Sequence, residues 1–188
     1  SLDVTYPYAM NTWHHVVAVG DGNGIRIFLD GVQAGSGGTV TANYAASASS
    51  FSVGGGGIYD ATGNFFNGQI DEVVAYHRAL SVGEIQSLYQ AGLTPAGFSV
   101  LPFVKTDIGA AMSNINASAY IRFPITVPDP LSISLLSGRG AFTIAGWIKP
   151  AATPGARIGL FGQNDCVEFG FISGTTMQCW TPSGGSLD

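Results

Sequence analysis

The sequence predicts an all-β fold, an antiparallel β-sandwich carrying one short helix near Ser81–Gly92. Three observations lead there. Charged residues make up 10% of the 188 residues while Gly contributes 27, and a charge-poor, turn-rich chain favours short strands over surface helices. Runs rich in β-branched and aromatic residues recur, with turn signals about every eight to twelve residues. One stretch, Phe65–Gly92 (FFNGQIDEVVAYHRALSVGEIQSLYQAG), joins a strand to a well-signed helix.

That stretch organises the rest. After the Asn67-Gly68 turn, Gln69–Tyr76 reads as a buried or half-buried strand. Ser81 is the expected N-cap, with Glu84 placed to complete a capping box. Leu80 and Ile85 form a hydrophobic staple, Ile85, Leu88 and Tyr89 share an apolar face, and Gly92 with Pro95 ends the helix.

Taken from the start, Val4–Tyr8 reads as a short strand and Trp13–Val19 as a stronger one. Asp21-Gly22-Asn23-Gly24 is a hairpin turn from which Ile25–Leu29 returns, and Asp30-Gly31 turns again. Gly35–Ser50 is small and polar, a loop with one weak strand. Phe51–Val53 is a strand, Gly54–Gly57 can lie close under another backbone, and Tyr59–Asn64 is a rim loop. Thr94–Phe103, with Pro95 and Pro102, reads as a linker. Strands follow in Ile115–Pro124, Phe142–Lys149 and Arg157–Phe161, and Val167–Ile172 pairs with Met177–Trp180 across a Ser173-Gly174 turn.

Composition narrows the partners. The net charge of −5 leaves no basic footprint for nucleic acid, and no apolar run of about 18 residues predicts membrane insertion. The opening in mid-pattern at Ser1 reads as a processed or excised piece. Around the Ser173-Gly174 turn, Cys166 would face Thr181 and Cys179 would face Glu168. That diagonal relation leaves a Cys166–Cys179 disulfide open, since a small change of register would bring the sulfurs together. Asn116-Ala117-Ser118 is a glycosylation sequon that matters in a eukaryotic secretory setting.

FNGQIDEVVAYHRALSVGEIQSLY resembles the closing segment of laminin-G-like modules of the concanavalin A-like lectin/glucanase fold. Asn11–Gly31 (NTWHHVVAVGDGNGIRIFLDG) resembles their Trp-His-His hairpin, and YIRFP with FTIAGWIKP, within Tyr120–Pro150, resembles their opening strands. The resemblance implies a concanavalin A-like, antiparallel jelly-roll sandwich. It also implies a permuted order, because the closing segment here precedes the opening one. Residues 1–94 then correspond to the C-terminal part of a module, 95–102 to a linker and 103–188 to the N-terminal part. Together they make one sandwich, within one chain or completed by a neighbouring repeat. Ser186-Leu187-Asp188 repeats Ser1-Leu2-Asp3, which suggests a window on a tandem array with a period of 185 residues, the distance from Ser1 to Ser186. A circular permutation is the alternative.

Candidate sites follow. Glycoside hydrolysis needs two carboxyl groups about 5–10 Å apart on one face. Asp71 and Glu72, as strand neighbours, should point to opposite faces, and the E-x-D-x-x-E cluster of the related glucanases is absent. The resemblance implies a Ca2+ site using Asp71 and Asn116; Asp60 with Asn64, or Asn164 with Asp165, could supply rim ligands instead. Trp180 and Tyr59 are the expected surface aromatics for stacking a sugar, with Asp60, Asn64 and Asp165 as further ligand-binding candidates. His14 and His15 read as structural, and Cys166 lacks an evident base to make it a nucleophile. The expected role is a non-catalytic module, extracellular or at the cell surface, serving as the repeating unit of a fibre, filament or adhesin, with identical neighbouring repeats or subunits as partners. The alternative is a carbohydrate- or protein-binding module of a larger secreted protein, Ca2+-dependent and directed to glycans or extracellular proteins. A degenerate glycosidase is disfavoured.

Overall fold

The structure is a computed structural model describing residues 1–38, 51–55, 58–59, 63–93, 121–122, 136 and 138–182. Its elements are β1 (Leu2–Thr5), β2 (His14–Asp21), β3 (Gly24–Leu29), β4 (Val32–Gly37), β5 (Phe51–Val53), β6 (Gly68–Tyr76), α1 (Val82–Leu93), β7 (Ile121–Arg122), β8 (Phe142–Pro150), β9 (Ile158–Gln163), β10 (Val167–Ser173) and β11 (Thr176–Trp180). They form a six-stranded sheet, β1-β11-β10-β9-β5-β7, and a five-stranded sheet, β4-β3-β2-β8-β6, with antiparallel pairing throughout. This is an antiparallel β-sandwich.

Strand parity builds the core. On β2, Val16 and Ala18 enter the main cluster between the sheets, where Phe142, Ile144, Phe161, Phe169 and Phe171 are also fully buried. Val17 and Val19 point the other way and form a second cluster with Phe28, Ala145, Leu80 and Ile85. The helix therefore covers the outer face of the five-stranded sheet, and β2 is apolar on both faces because both are buried.

The helix begins as its sequence dictates. Ser81 N–H donates to Glu84 Oε2 at 2.8 Å and Glu84 N–H donates to Ser81 Oγ at 3.3 Å, closing the capping box. Arg78 adds an ion pair to Glu84 at 2.7 Å. Leu80 and Ile85 are both buried, as a staple requires.

Both sheets draw strands from either side of residues 94–120. In the five-stranded sheet β8 lies between β2 and β6. In the six-stranded sheet β1 caps β11, and β9 is followed by β5 and then β7. One hydroxyl adds a further tie. The buried Thr143 Oγ1 on β8 accepts from Leu80 N–H and donates to Arg78 C=O, both at 2.9 Å. Replacing Thr143 with the isosteric Val leaves a buried N–H unsatisfied. Thr143→Val is expected to lower stability by about 2 kcal/mol, read as a shift of the urea midpoint; an unchanged midpoint would remove this tie.

Several expectations shift. The first strand runs Leu2–Thr5 rather than Val4–Tyr8, since Pro7 has no N–H to continue the ladder. The β10–β11 register is one residue off the expected one. Phe169 faces Cys179 and Glu168 faces Trp180, because the ladder shifts between Phe171 and Ser173. Cys166 and Cys179 are separate buried thiols. Within Ile115–Pro124 only β7 is described; the 95–102 linker, the Asn116 sequon and Ser186–Asp188 lie outside the described residues.

Candidate functional site

The outer face of the six-stranded sheet carries the most promising surface. Inward residues of β10 and β11, Phe169, Phe171, Met177 and Cys179, fill the core, so Glu168 and Trp180 point outward. The register places Trp180 opposite Glu168, Glu168 opposite Gly162, and Gly162 opposite Ser52. Trp180 is half-buried. Glu168 is only 5% exposed, and its Oε1 accepts from Asp165 N–H at 3.1 Å. The half-open indole can offer an apolar stacking face to a ligand, while the Glu168 carboxylate is engaged within the chain. Glu168 was not singled out by sequence reasoning, because the expected register put Cys179 opposite it.

Of the rim candidates, Asp165 is exposed, with Asn164 Nδ2 donating to its Oδ2 at 3.0 Å. Tyr59 is not a surface aromatic. It is 2% exposed and its hydroxyl donates to Gln178 C=O at 2.7 Å. The Arg157 guanidinium donates twice to Tyr59 C=O, and burial holds the phenol protonated. Ile58 beside it meets Gly159, where a Cβ would stand 2.4 Å from the Ile58 Cβ. The sequence shows a polar stretch here; it does not show that Ile58 and Tyr59 pack onto the sheet beside Gly159 and Gln178. Asn64 is exposed, and its C=O approaches Gly55, which takes φ +107°. Asp60 lies outside the described residues.

Asp71 stands on β6, in the other sheet, so it does not join Trp180 and Asp165. A bulge lies here: Asp71 faces Trp147 and Val74 faces Ala145, leaving Glu72 and Val73 opposite Gly146 alone. Glu72 takes φ +50°, a conformation rare for a non-glycine residue. The extra residue resets parity, so that Ile70, Val73 and Ala75 all enter the core while Asp71 and Glu72 both stay out of it. This corrects the opposite-face expectation; strict alternation would have driven Glu72 into the core. Burial, then the neighbouring Asp71, raises the Glu72 pKa. Asp71 Oδ1 already accepts from Glu72 N–H at 2.8 Å. Among the described residues no group of three His, Cys, Asp or Glu could hold a metal ion, and Asn116 lies outside them.

The histidine pair is absorbed by the scaffold. Asp30, at φ +50° in the β3–β4 turn, accepts from His14 Nδ1 and from His15 N–H, both at 2.8 Å. Tyr8 stacks on the His14 ring, centroids 4.0 Å apart, and Thr12 Oγ1 lies 2.7 Å from His14 Nε2. His15 is enclosed by Trp147 and Tyr89, with ring centroids at 5.3 and 6.2 Å. Burial lowers its pKa to about 4 against a smaller opposing effect of Asp30, so the ring is neutral at pH 7. Burial also pushes the Cys166 thiol up to about 12, which leaves no thiolate for nucleophilic chemistry.

A laminin-G-type family model, described as the concanavalin A-like lectin/glucanases superfamily, matches residues 1–86. No curated protein and no solved structure gives a significant match.

Proposed function

On the strength of a laminin-G-type family model that matches residues 1–86, we propose a non-catalytic, extracellular laminin-G-like module that serves as the repeating unit of a fibre, filament or adhesin. The match suggests a carbohydrate- or protein-binding module, and laminin-G-like domains are typically extracellular and generally non-catalytic, although the superfamily includes glucanases. No helix among the described residues is long and apolar enough to cross a membrane. The observation carrying the reading is the interleaving of strands from before and after residues 94–120. Neither set closes its sheets without the other, and half-built sheets leave edges that need a complement. A stretch as long as 94–120 can reach up to about 90 Å when extended, enough to serve the same chain or a neighbouring copy. Identical repeats or subunits are then the primary partners. Negative-stain microscopy tests this: the reading expects regular filaments or bead strings, and dispersed single-chain particles at every concentration would overturn it.

The Trp180–Glu168 face supports a second reading, a module of a larger secreted protein that binds glycans or extracellular proteins, with Ca2+ held through Asp71 and Asn116. Trp180→Ala is expected to abolish glycan-array binding with the melting temperature nearly unchanged, because the indole is half-open. An unfolded variant would mark Trp180 as core instead. Bound Ca2+ raises the melting temperature; a value unmoved by chelator and by added Ca2+ would remove the metal from this reading.

A further inference from the structure

We propose that β1 is an exchangeable strand, docked onto β11 of a second copy of this chain, so that copies are linked through the edge of the six-stranded sheet. This deepens the repeating-unit reading by naming the surface and the partner. Among the described residues β1 is an edge strand, paired on one side only, through Leu2↔Cys179, Asp3↔Gln178, Val4↔Met177 and Thr5↔Thr176. The tie continues for one residue, where Tyr6 N–H donates to Thr175 C=O at 2.8 Å. Leu2, Val4 and Tyr6 alternate inward, Val4 and Tyr6 fully into the core and Leu2 against it. They form a three-pronged apolar strip that fits the β11 edge of any copy equally well. Exchange therefore keeps every contact of the strip and changes only the connection to β2.

That connection is where strain sits. Between Tyr6 and β2 the chain passes Pro7, which fixes its own φ, and Asn11, held at φ +62° while its N–H donates to Pro150 C=O at 2.7 Å. Tyr6 brings a buried hydroxyl that has no partner among the described residues. Its ring packs edge-on against Tyr8, His14 and Phe171, at centroid distances of 5.3, 6.0 and 5.1 Å, an arrangement that aromatic rings favour. A short connection under strain favours exchange between copies over closure within one. The closed form gains from an effective concentration in the mM range, so linkage dominates where copies are crowded, as they are within a fibre.

The Asp3–Gln178 pair provides the test, because the two side chains face outward across the β1–β11 junction, with Gln178 Nε2 donating to Asp3 Oδ1 at 2.8 Å. The full-length double variant Asp3→Cys, Gln178→Cys is concentrated to about 1 mM and oxidised, with each single variant as control. A substantial interchain fraction, growing with concentration, is expected on non-reducing gels. A product that is intrachain only would overturn the proposal. If the double variant fails to fold, isotope-filtered NMR on a mixture of labelled and unlabelled unmodified chain gives the same answer. Val4–Met177 contacts between chains are expected, and contacts within one chain only would overturn it. Filaments in the microscope without an interchain Asp3–Gln178 link would leave the repeating-unit reading standing and remove β1 as its connector; the link without filaments would do the reverse.

Discussion

Gly170→Ala is expected to destabilise the domain by about 3 kcal/mol. A Cβ at Gly170 would stand 2.2 Å from Ile158 C=O and 2.9 Å from Leu160 N, backbone atoms that cannot rotate aside. They come this close because the β9–β10 ladder skips Leu160: Phe169 faces Phe161 while Gly170 faces Gly159. The methyl would force the two strands apart at the middle of the face that carries Glu168 and Trp180. Gly63→Ala is the control, since nothing lies within 4 Å of that Cβ position; a change within about 0.5 kcal/mol is expected there. Urea denaturation of both variants decides the matter. A Gly170→Ala midpoint as close to the parent as that of Gly63→Ala would show that this face adapts and is not a rigid platform.

Acid should weaken the fold in two separate windows. His15 has its folded pKa lowered from 6.5 to about 4 by burial. The unfolded chain therefore takes up a proton that the folded chain refuses, and stability falls as pH drops from about 6.5 to 4. A displacement of that size amounts to about 3 kcal/mol. Glu84 works lower down. Arg78 and the Ser81 N–H hold its carboxyl at about 2 against an ordinary 4.5, so its contribution is present above 4.5 and lost as pH falls toward 2. His15→Phe should remove the first window and spare the second. Phenylalanine keeps the ring between Trp147 and Tyr89, and His15 Nδ1 has no partner to lose among the described residues. Thermal melts from pH 7 to pH 4 are the check; a His15→Phe variant that retains the full slope would place the acid sensitivity elsewhere.

What the sequence disclosed was what short range decides. The α1 capping box, the staple and the Asp21–Gly24 and Asp30-Gly31 turns depend on residues within a few positions of each other, and all stand as read. The parity of β2 was equally plain, with Val17 and Val19 on one side and Val16 and Ala18 on the other. Departures from strict alternation were not. Three irregular steps, at Glu72–Val73, at Leu160 and between Phe171 and Ser173, come from packing against a neighbouring strand. The first and the third redirected candidate residues: Asp71 and Glu72 both stay out of the core, and Trp180 came to face Glu168. One signal for the first was available, since regular alternation from Ile70 would bury the Glu72 carboxylate. Tyr59 misled for another reason. Its burial depends on Gly159 and Gln178, far along the chain, and nothing beside it in sequence announces them.

One sandwich is assembled from both sides of residues 94–120, and cutting the chain there exposes whether its halves depend on each other. With a specific protease site placed in 95–102 and cleaved after folding, the two pieces should co-elute as one particle and melt in a single transition, because β8 stays lodged between β2 and β6. Two pieces that separate and melt independently, each with a finished core, would contradict it.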